Sequence, residues 1–270
     1  MISVVHKALI DDSSAPFNEV VDLEVLLGAL LIGAGIGFLS GAFGKGGSAI
    51  STPLLHALGV PAIIAIASPL PATIPSTWLA SRGYARAGQV DREVLRIGVI
   101  VGLPLTALGA FLTRWIAGEP LVLATDAILL VLGLRVLLGA LDEPPPGETN
   151  CVSKPRTVGV VAVAAVLSGL LGNSGGFLLA PLFMNVLRMP ARRASGTSLA
   201  LAAALAVPGT IVHAWLGHVD WSLSLVLALA SVPCATLGAK AALRARERSL
   251  TVAYGIGIAL LSGGLLAFAR

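Results

Sequence analysis

The sequence predicts an all-α integral membrane protein made of two inverted-topology repeats, each a broken or re-entrant helical hairpin plus three transmembrane helices. Three observations carry this. Hydrophobic residues make up 56% of the chain and charged residues 12%, with a mean hydropathy of +0.91, whereas about a quarter of a soluble domain is charged. GAFGKGGSAISTPLL at 41–55 returns as GLLGNSGGFLLAPLF at 169–183, an offset of 128 residues. After one inserted residue the register continues at 129, matching Gly88-Gln89-Val90-Asp91 to Gly217-His218-Val219-Asp220, Pro104 to Pro233 and Gly109 to Gly238. That period is too long for a solenoid unit of about 20–50 residues. Finally, the basic residues fall on opposed joins in the two halves.

The elements follow in order. Residues 1–22 hold Asp11, Asp12, Glu19 and Asp22 against Lys7. Without the basic start and apolar middle of a signal peptide they read as a polar tail. The first membrane repeat, 23–141, has a broken element at 23–58 and apolar runs at 62–80, 93–113 and 121–141, each near the length that spans a hydrocarbon core as a helix. A linker at 142–156 contains Pro144-Pro145-Pro146-Gly147 and is expected to be extended and solvated. The second membrane repeat, 157–270, repeats the pattern with a broken element at 157–188 and runs at 192–214, 221–243 and 249–269.

Short cytoplasmic loops are enriched in Lys and Arg. Arg82, Arg86, Arg92 and Arg96 surround the join between the second and third elements of the first half, and the matching join at 217–220 has none. One join later the bias reverses, with Arg114 in the first half against Lys240, Arg244, Arg246 and Arg248 in the second. Placing both basic joins inside, with Lys154, Arg156, Arg188, Arg192 and Arg193, makes each broken element enter and leave on one side. Three crossings per repeat then invert the second relative to the first, make the linker cytoplasmic and leave both termini outside. Trp115, Trp215 and Trp221 would fall at the outer interface.

Broken helices in opposed repeats are where secondary transporters bind substrate, near the bilayer midplane. A helix that restarts there presents unpaired N–H groups and the positive end of its dipole, which suits an anion. Gly44, Gly46 and Gly47 allow close backbone approach, Ser48 adds a hydroxyl and Lys45 a full charge, while Asn173, Ser174, Gly175 and Gly176 bring neutral donors from the other half. Glycines also serve plain helix packing, but a lysine among them is costly in lipid and is expected to face a cavity. Ser68, Thr197 and Ser198 occupy corresponding places on the next element and complete the candidate site, with helix capping as their alternative role. Pro69, Pro71 and Pro75 suggest a kinked or unwound start there.

The stretch GAFGKGGSAISTPLLHALGVP, the following Ser68-Pro69-Leu70 and the Gly196–Ala200 run GTSLA make the chain resemble the sulfite exporter TauE/SafE family over nearly its whole length. The resemblance implies a multi-pass carrier in the inner (plasma) membrane that moves small sulfur-containing oxyanions outward, sulfite or organosulfonates such as sulfoacetate. Ser68-Pro69 stands where a Thr-Ser pair is common in the family, so a hydroxyl contact from position 69 is lost. An anion channel of the same architecture is the alternative function. The expected partners are a small anionic substrate and the lipid bilayer, with a proton or another ion as the candidate for coupling.

Other residues carry less. The net charge of +4 reports membrane orientation rather than nucleic-acid binding. Cys151 and Cys234 lack metal-ligand spacing, and no catalytic triad, paired carboxylates or His-Glu-x-x-His run occurs, so no enzyme, cofactor or metal is expected. Asp126 and Arg135 point to opposite faces of one helix, the former a candidate coupling site. His56, His213 and His218 are expected as interface histidines, and Trp78 and Tyr84 as interfacial anchors.

Overall fold

Two glycine-to-aspartate turns define the frame. The computed structural model describes residues 23–44, 48–139 and 153–245. The N-terminal tail, Lys45, Gly46, Gly47, most of the linker and the element at 249–269 lie outside the described residues, as do the side chains of Ser48, Asp126 and Arg135.

Among the described residues all regular structure is helical. In the first half α1 (Leu23–Phe43) is followed by α2 (Ser48–Ala57), α3 (Ala62–Ala67), α4 (Pro69–Arg86), α5 (Arg92–Leu112), a 3-10 turn (Thr113–Trp115) and α6 (Gly118–Gly139). The second half has α7 (Lys154–Leu170), α8 (Gly176–Asn185), α9 (Ala191–Trp215) and α10 (Trp221–Arg244). Among the described residues five stretches are long and apolar enough to cross a membrane: Val25–Phe43, Ala62–Arg86, Arg92–Trp115, Ala191–Trp215 and Trp221–Arg244. The element expected at 62–80 runs on to Arg86 and is divided at Ser68, where Pro69 and Pro71 deny the next helix its first donors.

The repeated Gly-x-Val-Asp is a helix stop joined to a helix start. Gly88 and Gly217 adopt positive φ, 70° and 74°, and the next N–H closes the turn behind them, Gln89 onto the Tyr84 carbonyl at 2.8 Å and His218 onto the His213 carbonyl at 2.9 Å. Asp91 then caps α5 by accepting from the N–H groups of Glu93 and Val94, and Asp220 caps α10 by accepting from Leu223.

Helix packing also occurs twice with the halves exchanged. α1 crosses α10 closely at Gly37 and Gly41, whose Cα atoms face the Ser231 and Ala235 backbone, and at Gly238, which faces Phe38 and Ala42. α7 crosses α5 in the same way, Gly169 facing Thr106 and Ala110 and Gly109 facing Val166 and Leu170. Small residues give close backbone approach where lipid supplies no hydrophobic drive between helices.

Two expectations are corrected here. Tyr84 is fully buried rather than an interfacial anchor, because its hydroxyl donates to the carbonyls of Gly41 at 3.1 Å and Ala42 at 3.0 Å. His213 is likewise buried rather than at an interface. Trp78 is exposed as expected, with the Arg82 guanidinium 3.7 Å over its ring.

Candidate functional site

At both breaks a glycine takes the left-handed backbone conformation. α1 ends at Phe43 and Gly44 turns to φ 68°. α7 ends at Leu170, and Gly172 (φ 56°) and Gly175 (φ 71°) carry the chain into α8. A side chain at Gly44 would strike the Ser195 backbone, and one at Gly172 would strike Ile66. Since Ser195 and Ile66 correspond across the halves at offset 129, each break is seated on the other half's second element.

The second break is built around Asn173. Its Oδ1 accepts from the Gly175 N–H at 3.0 Å, which settles which amide atom is oxygen. Its carbonyl accepts from the Ser168 hydroxyl. The side-chain Nδ2 is thus left as a donor, buried (1% exposed) and without a hydrogen-bond partner among the described residues. Ser174, Gly175 and Gly176 are buried around it. The N–H groups of Gly176 and Phe177, at the first positions of α8, lie outside its helical ladder.

Beside the first break is a cavity lined by Gly33, Ile36, Gly37 and Ser40 of α1, Ser51 of α2, Pro69, Ala72, Thr73 and Ser76 of α4, and Leu227 and Ser231 of α10, so hydroxyls project into an otherwise largely apolar wall. The space open to a water molecule's centre is ≈ 20 Å³, room for one or two waters. Among the described residues Ser40 (2% exposed) and Ser231 (7%) have hydroxyls without a partner, whereas Thr73 and Ser76 donate to the carbonyls of Pro69 and Thr73. An unpaired hydroxyl away from water costs about 1–3 kcal/mol, so a polar occupant is favoured here.

The corresponding place in the second half is filled. Ser76 and Ser231 correspond at offset 129 to Leu205 and Gly102, and the Leu205 side chain lies against Gly102. Ser51 and Thr73 are answered by Leu179 and Ala202, both buried. The cavity therefore lies beside the first break, between residues of both halves, and the equivalent place beside the second break is packed.

The remaining candidate residues do a different job. The Ser68 hydroxyl accepts from the Asp220 N–H at 2.9 Å, and Thr197, its counterpart, accepts from the Asp91 N–H at 2.9 Å while donating to the Arg193 carbonyl. Each hydroxyl thus holds the helix-capping aspartate of the other half, and Arg193 adds an ion pair to Asp91 at 2.8 Å. Ser198 donates to the Gly44 carbonyl, so it alone of the three reaches a break. The sequence reading missed Ser40, Ser51, Thr73, Ser76 and Ser231. For Ser51, Thr73, Ser76 and Ser231 the signal was a difference between equivalent positions, which hold Leu179, Ala202, Leu205 and Gly102, whereas Ser40 is matched by Ser168.

Comparison with known proteins adds the family. The description "Sulfite exporter TauE/SafE" matches residues 29–265. A "Probable membrane transporter protein" of Xylella fastidiosa (strain 9a5c) is 29% identical over 233 residues, covering 83% of this chain and 89% of the relative. In Bacillus subtilis (strain 168), "Probable membrane transporter protein YjnA" is 26% identical over 87% of this chain and 96% of its own, and YunE, of the same description, is 24% identical over 86% and 93%. No solved structure matches. With a family match spanning all the described helices but the first turns of α1, the chain belongs to the sulfite exporter TauE/SafE family of membrane transporters.

Proposed function

We propose that the chain is a secondary carrier that exports a small sulfur-containing oxyanion, sulfite or an organosulfonate such as sulfoacetate, by alternating access of two inverted repeats. The oxyanion is held between the N-terminal ends of α2 and α8, with Gly44, Gly46, Gly47 and Ser48 at one end, Asn173, Ser174, Gly175 and Gly176 at the other, and Lys45 supplying the charge. The observation that carries this reading is the buried Asn173 Nδ2, a donor with no acceptor beside the start of a helix, where an anion is electrostatically favoured. The exchanged contacts of the two halves support a pair of like repeats, with Ser68, Thr197 and Ser198 joining them.

The test is uptake of labelled sulfite and sulfoacetate into proteoliposomes holding the purified protein. Saturable flux with counterflow, reduced at least 10-fold in Lys45→Ala, is expected. Unsaturating electrogenic flux without counterflow would establish a channel instead, and undiminished flux in Lys45→Ala would remove the breaks from the pathway.

The cavity has its own expected outcome. Ser76→Leu combined with Ser231→Gly copies the packing of Leu205 against Gly102 to the place beside the first break and fills the space with hydrocarbon. Flux should fall at least 10-fold while the melting temperature stays within a few degrees of wild type or rises, because a filled cavity packs better.

A further inference from the structure

The position equivalent to Tyr84 is His213, at offset 129, and the two side chains reach the same target. Tyr84 donates to the Gly41 carbonyl near the end of α1, and the Nε2 of His213 lies 3.3 Å from the Gly169 carbonyl near the end of α7. Gly41 and Gly169 correspond at offset 128. One half therefore ties its broken helix with a phenol and the other with an imidazole, the one side chain that titrates near neutral pH without being perturbed. His213 does not act alone, because its Nδ1 lies 3.2 Å from the Nδ1 of His218.

These two contacts determine where the protons are. A carbonyl only accepts, so Nε2 of His213 carries hydrogen and, in the neutral ring, its Nδ1 holds a lone pair. The facing Nδ1 of His218 then carries hydrogen, and Nε2 of His218 is left with a lone pair. An added proton binds there without breaking either hydrogen bond. Transfer of the shared hydrogen from His218 Nδ1 to His213 Nδ1 moves the positive charge inward and again preserves both bonds. His213 as imidazolium would face a carbonyl in the last turn of α7, where the helix dipole favours a cation. A second proton would set N–H against N–H, so the pair holds one.

Among the described residues, the side-chain hydrogen bonds of the two rings reach each other and the Gly169 carbonyl. The charged groups on the elements packed around the pair are Asp220, whose Oδ1 is engaged by the Leu223 N–H, and Arg114, which lies over the Phe111 and Trp115 rings with Phe111 stacked on Trp215. The last turn of α7 and the facing Thr106 and Ala110 of α5 bring no charge.

We propose that His213 and His218 form a one-proton binding site tied to the second helix break, and that its proton is the ion coupled to transport. The link to transport rests on the carrier reading above, whereas the proton site itself does not.

The other half supplies the test variants, since Tyr84 and Gln89 occupy the equivalent positions: His213→Tyr and His218→Gln. Two measurements separate the claims. The first is the melting temperature of purified protein from pH 5 to 8 without substrate. Burial lowers the His218 pKa from 6.5, so the unfolded chain binds this proton more tightly and the wild-type melting temperature should fall as pH drops below about 6.5. Each variant should flatten that fall. The second is alkalinisation or acidification inside dye-loaded proteoliposomes during sulfoacetate flux, an anion whose charge is constant over this range. Wild type should move protons with the anion, and each variant should move at least 10-fold fewer per anion while counterflow at a single pH persists. Wild-type pH dependence in both variants, or undiminished proton movement, overturns the proposal. A flattened melting profile in a protein that carries no anion would keep the proton site and refute the carrier reading. If His213→Tyr does not fold, His218→Gln, at the partly exposed ring, decides alone.

Discussion

Asn173→Asp is expected to weaken oxyanion binding by about 1,000-fold at neutral pH while leaving the fold intact. The substitution is isosteric and keeps the Oδ1 that accepts from the Gly175 N–H, so the turn into α8 is preserved. It replaces the unpartnered Nδ2 donor with a carboxylate oxygen. Two like charges about 4 Å apart at an effective dielectric near 20 repel by about 4 kcal/mol, close to three decades in affinity. Calorimetric titration of sulfite and sulfoacetate into wild type and variant checks this. Equal affinities would place the anion elsewhere and return Asn173 to a purely structural role in the turn.

The second large effect concerns the paired helix crossings. A Cβ on Gly41 would fall against the Ala235 carbonyl, 2.7 Å from its carbon and 2.9 Å from Cα, and one on Gly169 would lie 2.6 Å from the Ala110 nitrogen. Backbone cannot yield as a side chain tip can, so α1 must move off α10, or α7 off α5. Overpacking of this kind costs about 1–3 kcal/mol. Gly41→Ala and Gly169→Ala should each lower the melting temperature by roughly 3–10 °C at about 2–4 °C per kcal/mol for a chain of this size. Gly35→Ala, nearly two turns away on the same helix as Gly41 and with open space around it, should leave the melting temperature unchanged. A loss as large at Gly35 would show that helix propensity or lipid contact, not the crossing, sets the effect.

Much of the frame was legible because its signals are local. Gly88 and Gly217 precede Asp91 and Asp220 by three residues, and a positive-φ helix stop followed by a capping carboxylate needs nothing from the rest of the chain. The breaks at Gly44 and Gly172 were readable for the same reason, as glycines in apolar runs. The roles of Ser68 and Thr197 were harder to read. Their spacing suited either a ligand contact or a cap, and the structure joins each to the opposite half's aspartate N–H.

Tyr84 and His213 were misplaced for a related reason. An aromatic or imidazole near the end of an apolar run resembles an interface anchor, since both have an apolar body and a polar tip. Burial becomes favourable only because a carbonyl of another helix, Gly41 or Gly169, waits at bonding distance. The hydroxyls of the cavity gave no local signal either, because serine and threonine in a membrane helix commonly bond their own backbone, as Thr77 does to Thr73.

By itself the sequence determined the membrane as solvent, the duplication, the places where helices stop and restart, and the donor-rich character of the breaks. Each depends on composition or on the conformational demands of a few adjacent residues. Only the tertiary structure decided which polar groups are spent and which remain free. That Ser68 is engaged while Ser40, Ser231 and the Asn173 amide are not follows from contacts such as the one between Ser68 and Asp220, 152 residues apart. A buried polar group's free energy depends on whether a partner meets it, and that meeting is a property of packed helices rather than of either segment alone.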